Sequence, residues 1–185
     1  MRLALPFEAR EVIAAQLEVE SRFKRQGETH PSLGSAPDER RSRARRRRAA
    51  RAENTYGRLL SHVEKRTGLD SRERAEQALR IVLSNLCRRL TPNEAEHLVA
   101  QLPSKLAPTL DRPFDGPDKK ITTDSIQADL RQSLHVIPEE AGDILFTVCE
   151  VIADSVSAGE IDSVRAELPK AMESLFPRTP LREAS

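Results

Sequence analysis

The sequence predicts an all-α protein: a compact helical bundle made of two tandem pseudo-repeats, preceded by a flexible or partly helical N-terminal extension. Three observations lead there. From Thr55 to Phe176 apolar residues recur at spacings of three and four, the pattern of helices that bury one face. No segment alternates apolar and polar residues long enough to make a strand. Two stretches, EAEHLVAQLPSKL from Glu94 and EIDSVRAELPKAM from Glu160, nearly repeat each other 66 residues apart.

Residues 1–52 differ in character from the rest of the chain. FEAREVIAAQLEVESRF can form an amphipathic helix with Phe7, Val12, Ile13 and Leu17 on one side. GETHPSLGSAPDE, residues 27–39, is rich in Gly, Pro and Ser and reads as a linker. RRSRARRRRAAR, residues 40–51, holds eight Arg and no acid. Arg and Ala favour helix, but like charges repel, so this run is expected to be disordered or a helical extension that frays without an anionic partner.

From Thr55 the grammar is regular. Tyr56, Leu59, Leu60 and Val63 form one helical face, and Gly68 is its expected C-cap. Asp70, with Glu73 three residues on, predicts a capping box for the next helix, whose inner face is Ala75, Leu79, Val82, Leu83, Leu86 and Leu90. Thr91, Pro92 and Glu94 restart the chain as N-cap, first helical residue and box partner. Ala95, Leu98, Val99 and Leu102 face inward, and Pro103 stops the helix and opens a short one through Leu106 and Leu110. DRPFDGPDKK, residues 111–120, reads as a second linker. Beyond it Ile126, Leu130 and Leu134 mark a helix, and Pro138 opens another with Ala141, Ile144, Leu145, Val148, Ile152 and Val156 inside. Ser157 and Glu160 cap a third, with Ile161, Val164 and Leu168 inward and Pro169 at its end. Met172, Leu175 and Phe176 close the pattern.

A shift of 66 carries Ala75 to Ala141, Leu79 to Leu145, Val82 to Val148, Leu86 to Ile152, Leu98 to Val164, Leu102 to Leu168 and Pro103 to Pro169. Core falls on core, as a tandem duplication of one helical unit would give, and two such units can bury stripes that neither buries alone. The expected organisation is an extension over 1–52, a duplicated helical domain over 53–177 and a polar tail over 178–185. Within the domain, repeat one covers 53–110, the linker 111–120 and repeat two 121–177.

Composition narrows the class. Hydrophobic residues make up 38% and aromatics 3%, with no Trp, so the core rests on aliphatic side chains. No apolar run approaches the ~20 residues of a membrane helix, and the N-terminus lacks a sustained apolar stretch, which predicts a cytoplasmic protein without membrane contact. Cys87 and Cys149 both fall in amphipathic patterns and read as buried thiols. The net charge of +1 hides the Arg run; without those eight charges the rest of the chain stands at −7.

The stretch AEQALRIVLSNLCRRLTPNEAEHLVAQLPSKL resembles the diagnostic segment of a prokaryotic domain family of unknown function, number 2267. Its marks here are an Ala-rich helix running into VL..L..RL, then EA..L..QLP. The second half, AGDILFTVCEVIADSVSAGEIDSVRAELPKAMESLF, is similar to that family's C-terminal half, with its Gly-Glu pair, LP and closing Leu-Phe. The resemblance covers about residues 55–177. Ser157-Ala158-Gly159 stands where the first half has Thr91-Pro92-Asn93. The resemblance implies an all-helical, duplicated cytoplasmic domain and brings no established activity or catalytic residues.

Other motifs weigh towards structure. Glu94-x-x-His97 has the i, i+3 spacing of di-iron bundles, but the second half has Ser163 at the matching place, so the other ligand set is missing. His30, His62, His97 and His135 are scattered away from any nucleophile motif, and no phosphate-cradling Gly-rich loop or C-x-x-C occurs. In QLP and ELP the Leu reads as core and the Pro as a helix break. No catalytic, cofactor-binding or metal-ligating residue is assigned, and the chain is not expected to be an enzyme. The candidate polyanion-binding residues are Arg40, Arg41, Arg43, Arg45, Arg46, Arg47, Arg48 and Arg51, whose guanidiniums would neutralise several phosphates without reading sequence. The function favoured by the sequence is a cytoplasmic helical interaction or regulatory module with a protein partner. The alternative is a nucleic-acid-associated protein anchored through residues 40–51.

Overall fold

The computed structural model describes residues 35–110 and 113–176 of the chain. Every regular element among them is helical: α1 (Ser35–Thr67), α2 (Arg72–Arg89), α3 (Pro92–Gln101), a 3-10 turn (Ala107–Thr109), α4 (Thr123–Leu134), α5 (Pro138–Ser155), α6 (Ala158–Glu167) and α7 (Lys170–Glu173). The expected helix around Phe7, Val12, Ile13 and Leu17 and the tail over 178–185 lie outside the described residues. The chain divides after Arg46 into two units.

In the first unit, residues 35–46 are helical, and the side chains from Arg40 onward are exposed. The linker expected over 27–39 therefore ends by Ser35. Pro37 is tolerated in a first turn. Residues 40–51 are helical as well: the Arg and Ala propensities prevail over the repulsion. One helix thus crosses the boundary expected at 52/53.

In the second unit, α1 presents Tyr56, Leu59, Leu60 and Val63 to the core and ends at Gly68, whose φ of 71° is the left-handed conformation that suits a residue without Cβ. The Gly68 N–H donates to Glu64 O at 3.0 Å. The next cap differs from expectation. Ser71, not Asp70, is the N-cap of α2: its Oγ accepts the Arg74 N–H at 3.3 Å, while the Asp70 carboxylate takes the Arg74 guanidinium. α2 and α5 supply much of the core, with Leu79, Leu83, Leu86, Leu145 and Ile152 under 2% exposed. α4 packs on both of them and α3 packs on α6. The C-terminus of α4 is closed from α2: Arg74 donates to Leu134 O at 2.7 Å and Gln77 to Ser133 O at 3.3 Å. Val156, expected in the core, is only partly buried.

Helix bounds recur with the 66-residue shift. α2 and α5 start and stop at matching positions, as do α3 and α6. The N-caps at those positions are closed crosswise. Thr91 accepts the Glu94 N–H, but its own N–H and hydroxyl both donate to the Glu167 carboxylate at the end of α6, each at 2.8 Å. Ser157 accepts the Glu160 N–H at 3.3 Å, and its N–H donates to Gln101 Oε1, at the end of α3, at 2.9 Å. Gln101 Nε2 donates onward to Glu160 Oε2 at 2.5 Å. The box partners expected within each helix, Glu94 and Glu160, are thus replaced in the return bond by the last residue of the opposite helix.

The second linker is also reassigned. Phe114 is 5% exposed and Ile121 7%, so residues 113–121 lie along the bundle as a strap. The Asp118 N–H donates to Arg88 O at 2.8 Å, and the Asp118 carboxylate pairs with Arg88 at 3.0 Å. The bond from the Lys120 N–H and that pair hold the Asp118 carboxyl below the usual carboxylate range. Gly116 makes the closest approach: a Cβ there would lie 2.2 Å from Leu90 O and 2.6 Å from Arg88 O.

Both obstructing atoms are backbone, so Gly116→Ala is expected to lower stability by at least about 2 kcal/mol in urea denaturation. Gly159, in the first turn of α6, has open space around it. Gly159→Ala is expected to raise stability by up to about 1 kcal/mol, and the opposite signs of the two substitutions are the check.

Candidate interaction site

Four residues of α1, Thr55, Arg58, Leu59 and His62, follow the i, i+3, i+4, i+7 spacing and share a face. Opposite them the chain leaves α3 through Gln101, Leu102, Pro103 and Ser104, and α5 ends in Asp154 and Ser155. Between these elements lies a cleft of about 600 Å³. Leu59 and Leu102 are buried and Pro103 half-buried, giving an apolar floor, while Arg58, His62, Ser104 and Asp154 are exposed at the rim. Pro103 fixes this geometry locally, because the residue before a proline is pushed out of helical conformation: Leu102 sits at φ −84°, ψ 164°.

The walls are tied together. Arg66 on α1 forks between Glu150 at 2.6 Å and Asp154 at 2.8 Å on α5. The Tyr56 hydroxyl donates to Glu76 Oε1 on α2 at 2.5 Å, and burial, followed by that bond, pushes the phenol above its usual range. Lys105 pairs with Glu53 and lies 5.8 Å from the centre of the Tyr56 ring. Gln101 is held by Ser157 and Glu160. The Thr55 and Ser155 hydroxyls bond back to carbonyls of their own helices. Arg58, His62 and Ser104 are therefore the polar side chains best placed to meet a ligand, above a floor that accepts an apolar group.

Behind Gln101, α3 and α6 enclose a carboxylate cluster. Glu94 is 9% exposed, and its Oε1 has no hydrogen-bond partner among the described residues. Burial raises its pKa above the ordinary 4.5, Glu160 and Glu167 raise it further, and His97 opposes them. His97 thus acts on Glu94 electrostatically, but among the described residues no three His, Cys, Asp or Glu side chains gather so as to hold a metal ion. His62 lies on the cleft rim and His135 is the left-handed C-cap of α4, with φ 54°. Cys87 and Cys149 are buried and not in a disulfide, and burial pushes the Cys149 thiol up. A smaller cleft of about 330 Å³ between α2 and α4 includes Asn85, a buried polar residue that reading for apolar faces passes over. Its Nδ2 donates to Ile81 O and to Asp129 Oδ2, each at 3.0 Å.

All eight arginines of residues 40–51 lie on α1 and are exposed. Arg40, Arg41, Arg43, Arg45 and Arg46 belong to the first unit; Arg47, Arg48 and Arg51 belong to the second. None is in a salt bridge among the described residues.

Residues 56–175 match the family model described as "Uncharacterized conserved protein (DUF2267)". That is more than half of the chain, and the chain belongs to this family. No curated protein matches it. Among the described residues no helix is long and apolar enough to cross a membrane.

Glu94 gives the α3–α6 interface a pH dependence. Its folded pKa lies above the unfolded value, so protonation favours the fold. The stabilising contribution is complete below about pH 4.5 and is lost as the pH rises through the raised folded value. Glu94→Gln, which mimics the protonated group, is expected to raise the melting temperature at pH 7 by a few degrees. The gain over the parent should vanish below pH 4.5; thermal denaturation of the two proteins across pH measures it.

Proposed function

We propose that this protein is a non-enzymatic, cytoplasmic helical interaction module, and that the cleft between α1, the Pro103 turn and the end of α5 receives an apolar side chain of a protein partner. The observation that carries this reading is the pairing of a floor made by Leu59, Leu102 and Pro103 with an exposed rim of Arg58, His62, Ser104 and Asp154. An apolar anchor would fill the floor while rim groups met the partner's backbone. The cross-braced walls favour a preformed site, which lowers the ordering that binding requires. Two buried thiols outside any disulfide agree with a reducing compartment. The 66-residue recurrence of helix bounds fits an origin by duplication of one unit, whose two halves enclose an interface that neither could complete.

Thr55 and Ser104 are exposed on opposite walls, so Thr55→Arg with Ser104→Arg should close the cleft without entering the core. Displayed random peptides selected on the parent protein are expected to carry a short aliphatic or aromatic anchor and to bind the blocked variant at least about ten-fold more weakly. Equal binding to both proteins would move the site elsewhere, and failure to enrich any peptide would remove the interaction reading.

A further inference from the structure

Independently of the cleft, α5 carries a second unused surface. Its 18 residues include five acids, Glu139, Glu140, Asp143, Glu150 and Asp154, and no basic side chain. Glu139, Asp143, Phe146 and Glu150 follow the spacing of a single helical face. At one end of that face Arg66 neutralises Glu150. At the other, Glu139, Glu140 and Asp143 are exposed and in no salt bridge among the described residues. Phe146 is 41% exposed and Ile137, immediately before the helix, 57%; these are the two large apolar side chains exposed among the described residues. An exposed phenyl ring beside unpaired carboxylates suits a guanidinium, which can fork onto a carboxylate and lie on the ring.

The same chain supplies such a partner. Residues 40–51 form a helical stretch of eight exposed arginines, separated only by Ser42, Ala44, Ala49 and Ala50. The stretch spans about 16 Å at the helical rise, the same distance as from Glu139 to Glu150. The chain as a whole is close to neutral, with one strongly basic segment and an acidic remainder. Two copies of the chain therefore carry surfaces of complementary charge. We propose that the outward face of α5, centred on Glu139, Asp143 and Phe146, docks the Arg-rich segment 40–51 of a second copy of this chain. Exposed ion pairs are individually weak, so the association is modest and falls steeply with salt.

Sedimentation velocity of the full-length, nuclease-treated protein over a concentration series, at roughly 0.05 M and roughly 0.5 M salt, tests this. The parent is expected to associate at low salt and to be monomeric at high salt. Glu139→Lys with Asp143→Lys, and separately Arg45→Glu with Arg48→Glu, are each expected to weaken the association at least about ten-fold. Circular dichroism would show that both variants remain folded. Mixing the two charge-reversed proteins is expected to restore a complex that neither forms alone, which a merely destabilised variant could not do. Three results would overturn the proposal: a monomeric parent at low salt, an association indifferent to the α5 reversal, or no rescue on mixing. So would either of two reassignments. Association that disappears on nuclease treatment would give the arginines to nucleic acid. A salt-dependent change in the monomer's own sedimentation, without oligomers, would give them to α5 of the same chain.

Discussion

Two backbone amides, those of Thr91 and Ser157, set the constraint on which the bundle depends. Each stands at the N-cap of a ten-residue helix, and each finds its acceptor on the other helix rather than on its own. Glu167 at the end of α6 supplies one and Gln101 at the end of α3 the other. Both caps are therefore closed across the contact between α3 and α6 rather than within either helix. Once they meet, Leu98, Leu102, Val164 and Leu168 are buried along with them. The exchange is not chemically equal on its two sides. Glu167 accepts twice from Thr91, whereas Gln101 accepts from Ser157 and donates to Glu160. An amide at Gln101 keeps a fourth carboxylate out of a cluster that already holds Glu94, Glu160 and Glu167. Burial first, and then the charge left in that cluster, makes Glu94 harder to ionise.

The cleft arises from the same contact. Gln101 is fixed by α6, the next residue is forced into an extended conformation by Pro103, and the chain turns away beneath α1. The opposite wall is placed by three unrelated interactions: the apolar stripe of α1, the Tyr56–Glu76 hydrogen bond and the fork of Arg66 onto α5. Arg66 is partly exposed, so its ion pairs add little stability by themselves. Their geometry still sets where Asp154 stands at the cleft rim.

Much of this arrangement was legible in the sequence, for reasons that differ by element. Burial on one face of a helix imposes a period, and the period named almost all of the core, from Tyr56 to Phe176. Thr91, Ser157 and Gly68 were legible as caps because few residue types satisfy those positions. Asp70 and Ser71 both fit an N-cap, and only the reach of an oxygen to the Arg74 amide chooses between them. Phe114 sits among Pro, Gly and Asp, so its local composition reads as a spacer while its burial is a tertiary fact. The cross-capping partners were hidden because Thr91 and Glu167 are 76 residues apart. The cleft was hidden differently. Thr55, Arg58, Leu59 and His62 form a helical stripe that overlaps the more apolar core stripe, and a search for periodicity reports the stronger of the two. For residues 40–51, helix propensity and charge repulsion point in opposite directions, and composition alone cannot weigh them.

The arginines of α1 show how one residue type takes two roles according to what faces it. Arg66 meets two carboxylates one helical turn apart on α5, and its planar fork reaches both at once, which the single ammonium of a lysine would match less well. The arginines of residues 40–51 meet no carboxylate among the described residues, although they belong to the same helix. The difference is positional. Arg66 lies just beyond Tyr56, Leu59, Leu60 and Val63, whose burial brings that stretch of α1 against the bundle, whereas residues 40–51 contain no large apolar side chain. For Arg66, hydrophobic burial thus brings the cation to its carboxylates, and electrostatics then fixes the geometry. The near-zero net charge is accordingly a poor description of the molecule: it cancels a run of exposed guanidiniums against acids held elsewhere, and the field near each surface depends on the local sign rather than on the sum.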